Sequence, residues 1–163
     1  MVVNILGASG EIPDIGAFLK TVAKLEKQNR ITIQFFRADR IFGAEHLLSA
    51  AEKAQRAIQD GTGMSKTLGM EIMLYAAAEH QTSEALRKFG IFSGISEMGI
   101  VVIGEMPDNL LGKLGLERDD SVLGPEGKDY SVFGITPDEI EVLGVARIPE
   151  IVLEKIALSE VHR

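Results

Sequence analysis

A few acidic and imidazole side chains of this 163-residue chain are of the types that do acid–base chemistry or bind metal ions. Glu71 lies in an otherwise apolar stretch, where an unpaired carboxylate is costly. The histidines could act with it, and Asp119 and Asp120 are adjacent carboxylates of the kind that bind magnesium. Polar groups in apolar surroundings often have shifted pKa values, and such groups are typical of active sites. One alternative is therefore a small metal-dependent or acid–base enzyme. Its predicted residues are Glu71, His46, His80 and Asp120.

Simpler structural roles compete with this alternative. Adjacent side chains of an extended segment point in opposite directions, so Asp119 and Asp120 are poor joint ligands. We expect Asp120 and Ser121 to make local turn or capping bonds instead. Glu71 can accept hydrogen bonds from a neighbouring turn or a histidine, and a histidine on a good helix, such as His46, is typically a core or capping residue. The sequence contains no phosphate-binding loop, serine-hydrolase elbow or paired-histidine zinc motif.

The composition restricts the possible partners. The chain has no cysteine, which excludes disulfides and thiolate sites, and its net charge of −7 argues against a broad phosphate-binding surface. The charge is uneven, because residues 16–56 hold eight Lys or Arg against four Asp or Glu, whereas residues 97–141 hold three against eleven. A small phosphate contact in the first part therefore remains possible. Short apolar runs and the absence of a signal-peptide pattern predict a cytoplasmic protein without a membrane partner.

Hydrophobic periodicity predicts one helix-rich α/β domain over residues 1–163, in which helices cover a small mixed β-sheet. Strands are predicted at residues 2–6, 31–36 and 99–104, and the last of these is apolar enough to be covered on both faces. The predicted helices span residues 13–27, 44–58, 65–78, 81–89, 107–113, 137–143 and 149–161. The first is a crossover helix, the sixth begins with a capping box at Thr136 and Glu139, and residues 119–134 read as an irregular connection.

The last predicted helix has more apolar surface than one domain core usually covers. At 100° per residue, Ile148, Val152 and Ile156 share one side, and Leu153 with Ala157 form a second. Ile151 and Leu158 form a third. The helix is therefore either deep in its own core or a binding surface for a partner, and we predict partner contacts at Ile151, Leu153, Ala157 and Leu158.

Three stretches, taken together, resemble the PRPK-binding subunit (TPRKB) family of the KEOPS complex, in its archaeal type, over most of the chain. The first comprises Ala38-Asp39 and residues 42–48 (FGAEHLL). The second comprises residues 66–75 (KTLGMEIMLY), 81–86 (QTSEAL) and 89–91 (FGI), and the third pairs residues 119–123 (DDSVL) with 152–158 (VLEKIAL). One departure is His80, which stands where relatives commonly have arginine and which provides hydrogen bonding or stacking without a permanent charge.

The resemblance implies a non-catalytic subunit without a cofactor, bound metal or small-molecule substrate. Such a subunit binds a small kinase-like ATPase and, in archaeal assemblies, the single-stranded 3′ CCA end of tRNA, while a separate synthase makes threonylcarbamoyladenosine. A few unpaired nucleotides need only a small groove, which is compatible with an acidic protein. We expect tRNA contacts at the ends of two helices, from Lys53, Arg56, Lys66, Tyr75, His80 and Gln81.

Overall fold

The computed structural model describes residues 1–163, which form seven α-helices and four β-strands. The strands are β1 (Val3–Ser9), β2 (Thr32–Arg37), β3 (Glu97–Ile103) and β4 (Glu117–Arg118). The helices are α1 (Ile15–Asn29), α2 (Ala44–Asp60), α3 (Leu68–Ala77), α4 (Thr82–Phe89), α5 (Leu110–Lys113), α6 (Pro137–Leu143) and α7 (Ile148–Val161). None of these helices combines the length and apolar composition that a bilayer crossing requires.

The four strands form one sheet in the order β2-β3-β1-β4. Every pairing is antiparallel, so the helix-rich α/β class is confirmed but the expected mixed sheet is wrong. Strands β1 and β2 run in the same direction on either side of β3, and α1 joins them as the predicted crossover helix. β3, which comes later in the chain, lies between them, so one potential parallel pairing of β1 with β2 is replaced by two antiparallel pairings.

Both faces of the sheet are covered, as the unbroken apolarity of β3 predicts. One face of β3 presents Val101 and Ile103 to a core that also contains side chains of α2, α3 and α7. The other face presents Ile100 and Val102 to a second core, which includes Val22 of α1 and residues of the α5 region. The alternation of β3 between two cores is what a strand in the middle of a three-layer arrangement requires.

The ends of several helices differ from their predicted positions because of capping. Helix α3 begins at Leu68 rather than residue 65, since the Thr67 side chain accepts a hydrogen bond from the Met70 amide at 3.2 Å and acts as the N-cap. The predicted capping box at Thr136 and Glu139 is confirmed at the start of α6. Residues 119–134 contain only short 3₁₀ turns, as expected of an irregular connection.

Candidate functional site

His46 is a core residue of α2. Its side chain is 1% exposed, its Nδ1 accepts a hydrogen bond from the Phe42 amide at 3.1 Å, and its Nε2 lies 2.8 Å from the Ala76 carbonyl oxygen. Since a carbonyl can only accept, Nε2 carries the proton and the ring is neutral. Both ring nitrogens are occupied, so His46 fastens α2 to α3 and has no free nitrogen for catalysis or metal binding.

Burial lowers the pKa of His46 to about 4, against 6.5 for a free histidine, and the charge of Lys128 lowers it further while the Ala76 carbonyl partly opposes the shift. Unfolded chains therefore bind a proton at pH values where the folded protein does not. The folded state should lose up to about 3 kcal/mol of stability as the pH falls from 6.5 to 4, and none of this loss should occur above pH 6.5.

Urea unfolding at a series of pH values, followed by far-UV circular dichroism, measures this loss. The variant His46→Gln removes the titrating group and should flatten the dependence of stability on pH between 6.5 and 4. The pKa values of Asp39, Asp120 and Asp129 are lowered, so the stability that these carboxylates contribute is lost only at more acidic pH, when they become protonated. The pKa of Glu26 is raised, so its protonation at acidic pH favours the folded state instead. An unchanged slope in the variant would contradict the assignment to His46.

Glu71 is completely buried on α3 and organises the preceding loop. Its Oε2 accepts hydrogen bonds from the Met64 amide at 3.0 Å, the Ser65 amide at 2.9 Å and the Ser65 hydroxyl at 3.0 Å. Its Oε1 accepts a hydrogen bond from Nη1 of Arg163, which follows α7. The expected bonding to a neighbouring turn is confirmed, whereas no histidine contacts this carboxylate. With four donors on two oxygens, Glu71 is a structural carboxylate.

Tyr75 lies one turn of α3 beyond Glu71 and is 1% exposed. The Arg163 guanidinium lies over its ring, 3.9 Å from the ring centroid to the Arg163 Cζ. This arrangement is a cation–π contact. The ring is therefore not open in this structure, because α3 is packed on most sides and Arg163 covers the ring, and the stacking of Tyr75 on a base stays a prediction.

Asp119 and Asp120 make separate contacts, and they do not point to a common site. Asp119 accepts hydrogen bonds from the Ser121 amide at 3.1 Å and the Ser121 hydroxyl at 2.5 Å, so it caps the 3₁₀ turn that follows. Asp120 accepts from the Gly7 amide of β1 at 2.9 Å and forms an ion pair with Arg118 at 2.9 Å. The local bonding expected of Ser121 is confirmed, with Asp119 as its partner, whereas Asp120 does not supply the cap and bonds to a strand more than a hundred positions earlier.

The structure does not assemble the predicted enzyme site. The four side chains bond to different parts of the chain, and no three His, Asp or Glu side chains lie close enough to one another to bind a metal ion. The remaining member, His80, donates from Nε2 to the Ser159 carbonyl of α7 at 2.9 Å. These residues hold helices and loops together, so the geometry removes the arrangement on which the enzyme alternative depends.

Of the cationic residues expected to contact tRNA, Arg56 contacts the end of α7 directly. Arg56 is exposed on α2 and forms an ion pair with Glu160 at 3.5 Å, and Lys53 lies one turn before it. Lys66 is exposed in the loop that Glu71 organises. On the other side of the α7 end, His80 is bonded to Ser159, and the exposed Gln81 is the N-cap residue of α4. The structure thus brings two of these residues, Arg56 and His80, into contact with the last turns of α7.

Helix α7 buries only one of its three apolar sides. Ile148, Val152 and Ile156 are buried in the core beside α2 and α3, as their spacing predicts. Leu158 is 55% exposed and Ala157 is exposed, while Ile151 and Leu153 are half-buried. Further exposed apolar residues lie in α6, in the 3₁₀ turn before α7 and near its end, namely Val142, Leu143, Val145 and Val161. This part of the chain leaves large apolar side chains uncovered.

Two residues of this site were not identified from the sequence, Glu160 and Arg163. Both contact residues about a hundred positions earlier, through the pairs with Arg56 and Glu71. The only available signal was Glu71 itself, since a carboxylate on a helix that is apolar nearly all round requires donors. That requirement does not specify which distant cation satisfies it.

Comparison with known proteins identifies the family. The chain matches no curated protein sequence. A family model described as "Kinase binding protein CGI-121" matches residues 14–120, which is more than half of the chain and includes α1 to α5 and all residues of the expected tRNA contact. Helices α6 and α7 follow the matched residues. The chain therefore belongs to the CGI-121 family of kinase binding proteins.

Proposed function

We propose that this protein is a non-catalytic, cytoplasmic subunit that binds the kinase-like ATPase of the KEOPS complex through the outer side of α7. Membership of a kinase-binding family supports the partner. The observation that carries the assignment of the surface is the exposure of Leu158 and Ala157 on a helix whose opposite side is already anchored in the core. Exposed apolar side chains grouped in one region are typical of protein-binding surfaces.

The composition of α7 suits such an interface. Its buried side keeps the helix fixed to the domain when the outer side is free, so a partner meets a preformed surface and little ordering is required on binding. Ile151 with Leu158 would form one apolar side of the interface and Leu153 with Ala157 a second, and the exposed Glu150 and Glu154 lie between these two sides. The entire 1–163 chain acts as one domain in this proposal.

The second part of the proposal is that the residues around the α7 end bind the 3′ CCA end of tRNA and thereby support threonylcarbamoyladenosine formation by other subunits. Lys53, Arg56 and Lys66 provide phosphate contacts on one side, and His80 with Gln81 provides hydrogen bonds on the other. A few cations suffice for a few unpaired nucleotides, although the whole chain is acidic. Tyr75 can take part only after Arg163 moves.

Co-purification tests the protein partner directly. The tagged protein, mixed with the purified kinase-like subunit, should form a stable complex on size-exclusion chromatography, and the protein alone should show no turnover of ATP. Absence of a complex at micromolar concentrations would contradict the first part of the proposal, independently of any result with RNA.

Binding of tRNA should depend on the unpaired 3′ end. We expect tRNA that lacks the CCA tail to bind at least about tenfold more weakly than intact tRNA, because stacking and base-edge contacts are lost. Lys66→Glu should weaken binding of the intact form, whereas Lys113→Glu, an exposed lysine on the α5 side of the sheet, should not. Electrophoretic mobility shifts measure both effects. Equal affinity for intact and tail-less tRNA would leave only the protein-binding role.

A further inference from the structure

The guanidinium of Arg163 fills a space beside α3, between the Tyr75 ring and the Glu71 carboxylate, which we call the pocket. It is 9% exposed, its guanidinium lies over the Tyr75 ring at 3.9 Å, and its Nη1 donates to Glu71 Oε1. The pocket therefore offers a flat aromatic floor and a carboxylate at one edge. A planar group that carries amino hydrogens fills both requirements, and the guanidinium is such a group.

The arginine does not satisfy this pocket completely. Its Nε and Nη2 are buried and have no hydrogen-bond partner. A buried donor without an acceptor forfeits the hydrogen bond that it makes with water, which offsets much of what the ion pair contributes. The only other ion pair near the end of α7 is the looser contact of Glu160 with Arg56 at 3.5 Å. The arginine is thus incompletely hydrogen bonded, and a ligand that pairs with the same carboxylate without burying unpaired donors can compete with it.

The chemistry of the pocket specifies the class of ligand. An unpaired nucleobase can stack on a tyrosine ring, and the exocyclic amino group of adenine, cytosine or guanine can donate to a carboxylate. Uracil has no amino group and presents carbonyl oxygens, which a carboxylate repels. Glu71 cannot turn away from this contact, because the Met64 amide and both donors of Ser65 hold its other oxygen.

We propose that Tyr75 and Glu71 form a pocket for one amino-bearing nucleobase of a single-stranded RNA end, and that Arg163 occupies this pocket until RNA displaces it. This inference rests on the RNA contact proposed above and assigns to it a specific base pocket. Arg56 and Lys66 lie on neighbouring elements and can receive the adjacent phosphates. Because Arg163 has to leave the pocket before a base can bind, only the fraction of the protein with an open pocket binds RNA, and the apparent affinity for RNA is lowered accordingly.

Tyrosine fluorescence tests the covering of Tyr75 without RNA. The chain has two tyrosines and no tryptophan, so Tyr130→Phe leaves Tyr75 as the only source of tyrosine fluorescence. In this background, acrylamide should quench Tyr75 weakly in the parent protein and more strongly in Arg163→Gln. The matched control, Arg147→Gln, removes one positive charge near the other end of α7 and should leave quenching unchanged.

Binding of labelled hexaribonucleotides tests the ligand. By fluorescence anisotropy, the parent protein should prefer a strand that ends in CCA to a strand that ends in UUU. Arg163→Gln should bind the CCA strand about fivefold more tightly, since the competing side chain is gone, although the variant has one positive charge fewer. Arg147→Gln should show no such gain. If Arg163→Gln fails to fold by circular dichroism, Arg163→Lys, which cannot lie flat on the ring, should show the same direction of change.

Each outcome decides a separate point. Unchanged quenching in Arg163→Gln would show that Arg163 does not cover Tyr75, and equal or weaker binding of the CCA strand would show that it does not compete with a base; either result overturns the pocket. If intact tRNA still binds with its usual dependence on the CCA tail, the broader proposal survives that failure. If neither the parent protein nor Arg163→Gln binds tRNA or any oligonucleotide, the proposed role in RNA binding is wrong.

Discussion

Leu158→Glu should weaken binding of the kinase-like subunit by at least about 100-fold while the protein remains folded. Leu158 is 55% exposed, so glutamate remains hydrated in the free protein and the fold loses little. In the complex the same carboxylate would be desolvated among apolar groups, where an unpaired charge costs several kcal/mol. A 100-fold loss corresponds to about 2.7 kcal/mol, which is within the range of single interface hot spots.

Isothermal titration calorimetry with the purified kinase-like subunit measures this effect, and far-UV circular dichroism confirms folding. Leu19→Glu is a matched control, because Leu19 is 47% exposed on α1, which covers the opposite face of the sheet. It should leave the affinity unchanged. Unchanged affinity for Leu158→Glu, or an equal loss for Leu19→Glu, would contradict the assignment of the surface to α7. Leu153 is a less discriminating position, because it is half-buried and its replacement also disturbs the core.

Local patterns in the sequence predicted most of the elements but little of their arrangement. The alternation and apolarity of β1, β2 and β3 are properties of each strand, so these strands were found. Their order is not a local property, and the insertion of β3 between β1 and β2 converted the expected mixed sheet into an antiparallel one. Strand β4 was missed because it is two residues long, polar and exposed.

The candidate site shows the same division. The spacing of α7 correctly identified its buried side, and the isolated Glu71 correctly indicated a carboxylate that is hydrogen bonded to a turn. The near-complete apolarity of α3 is also compatible with a packed Tyr75, and the structure shows this residue buried. The cover itself, Arg163, is 92 positions from Glu71, and no local pattern connects them.

Glu71→Ala should destabilise the protein by about 3–5 kcal/mol, the usual cost of breaking a buried and hydrogen-bonded charge pair. The substitution leaves the Met64 and Ser65 amides without their acceptor, removes the partner of Arg163 and creates a small cavity in the core. Urea unfolding followed by far-UV circular dichroism measures the change. Glu71→Gln keeps an acceptor oxygen and most of the side-chain volume, so it should lower the free energy of unfolding clearly less than Glu71→Ala does.

Two further variants separate the contributions to this loss. Glu84→Ala removes a partly exposed helix carboxylate that pairs with Arg87, and it should leave the unfolding midpoint almost unchanged. The double variant Glu71→Ala/Arg163→Gln should be more stable than the sum of the two single effects predicts, because each single change already breaks the shared pair. Strict additivity would mean that Arg163 contributes nothing through Glu71. A loss for Glu71→Ala no greater than that for Glu84→Ala would mean that this carboxylate does not hold the loop before α3.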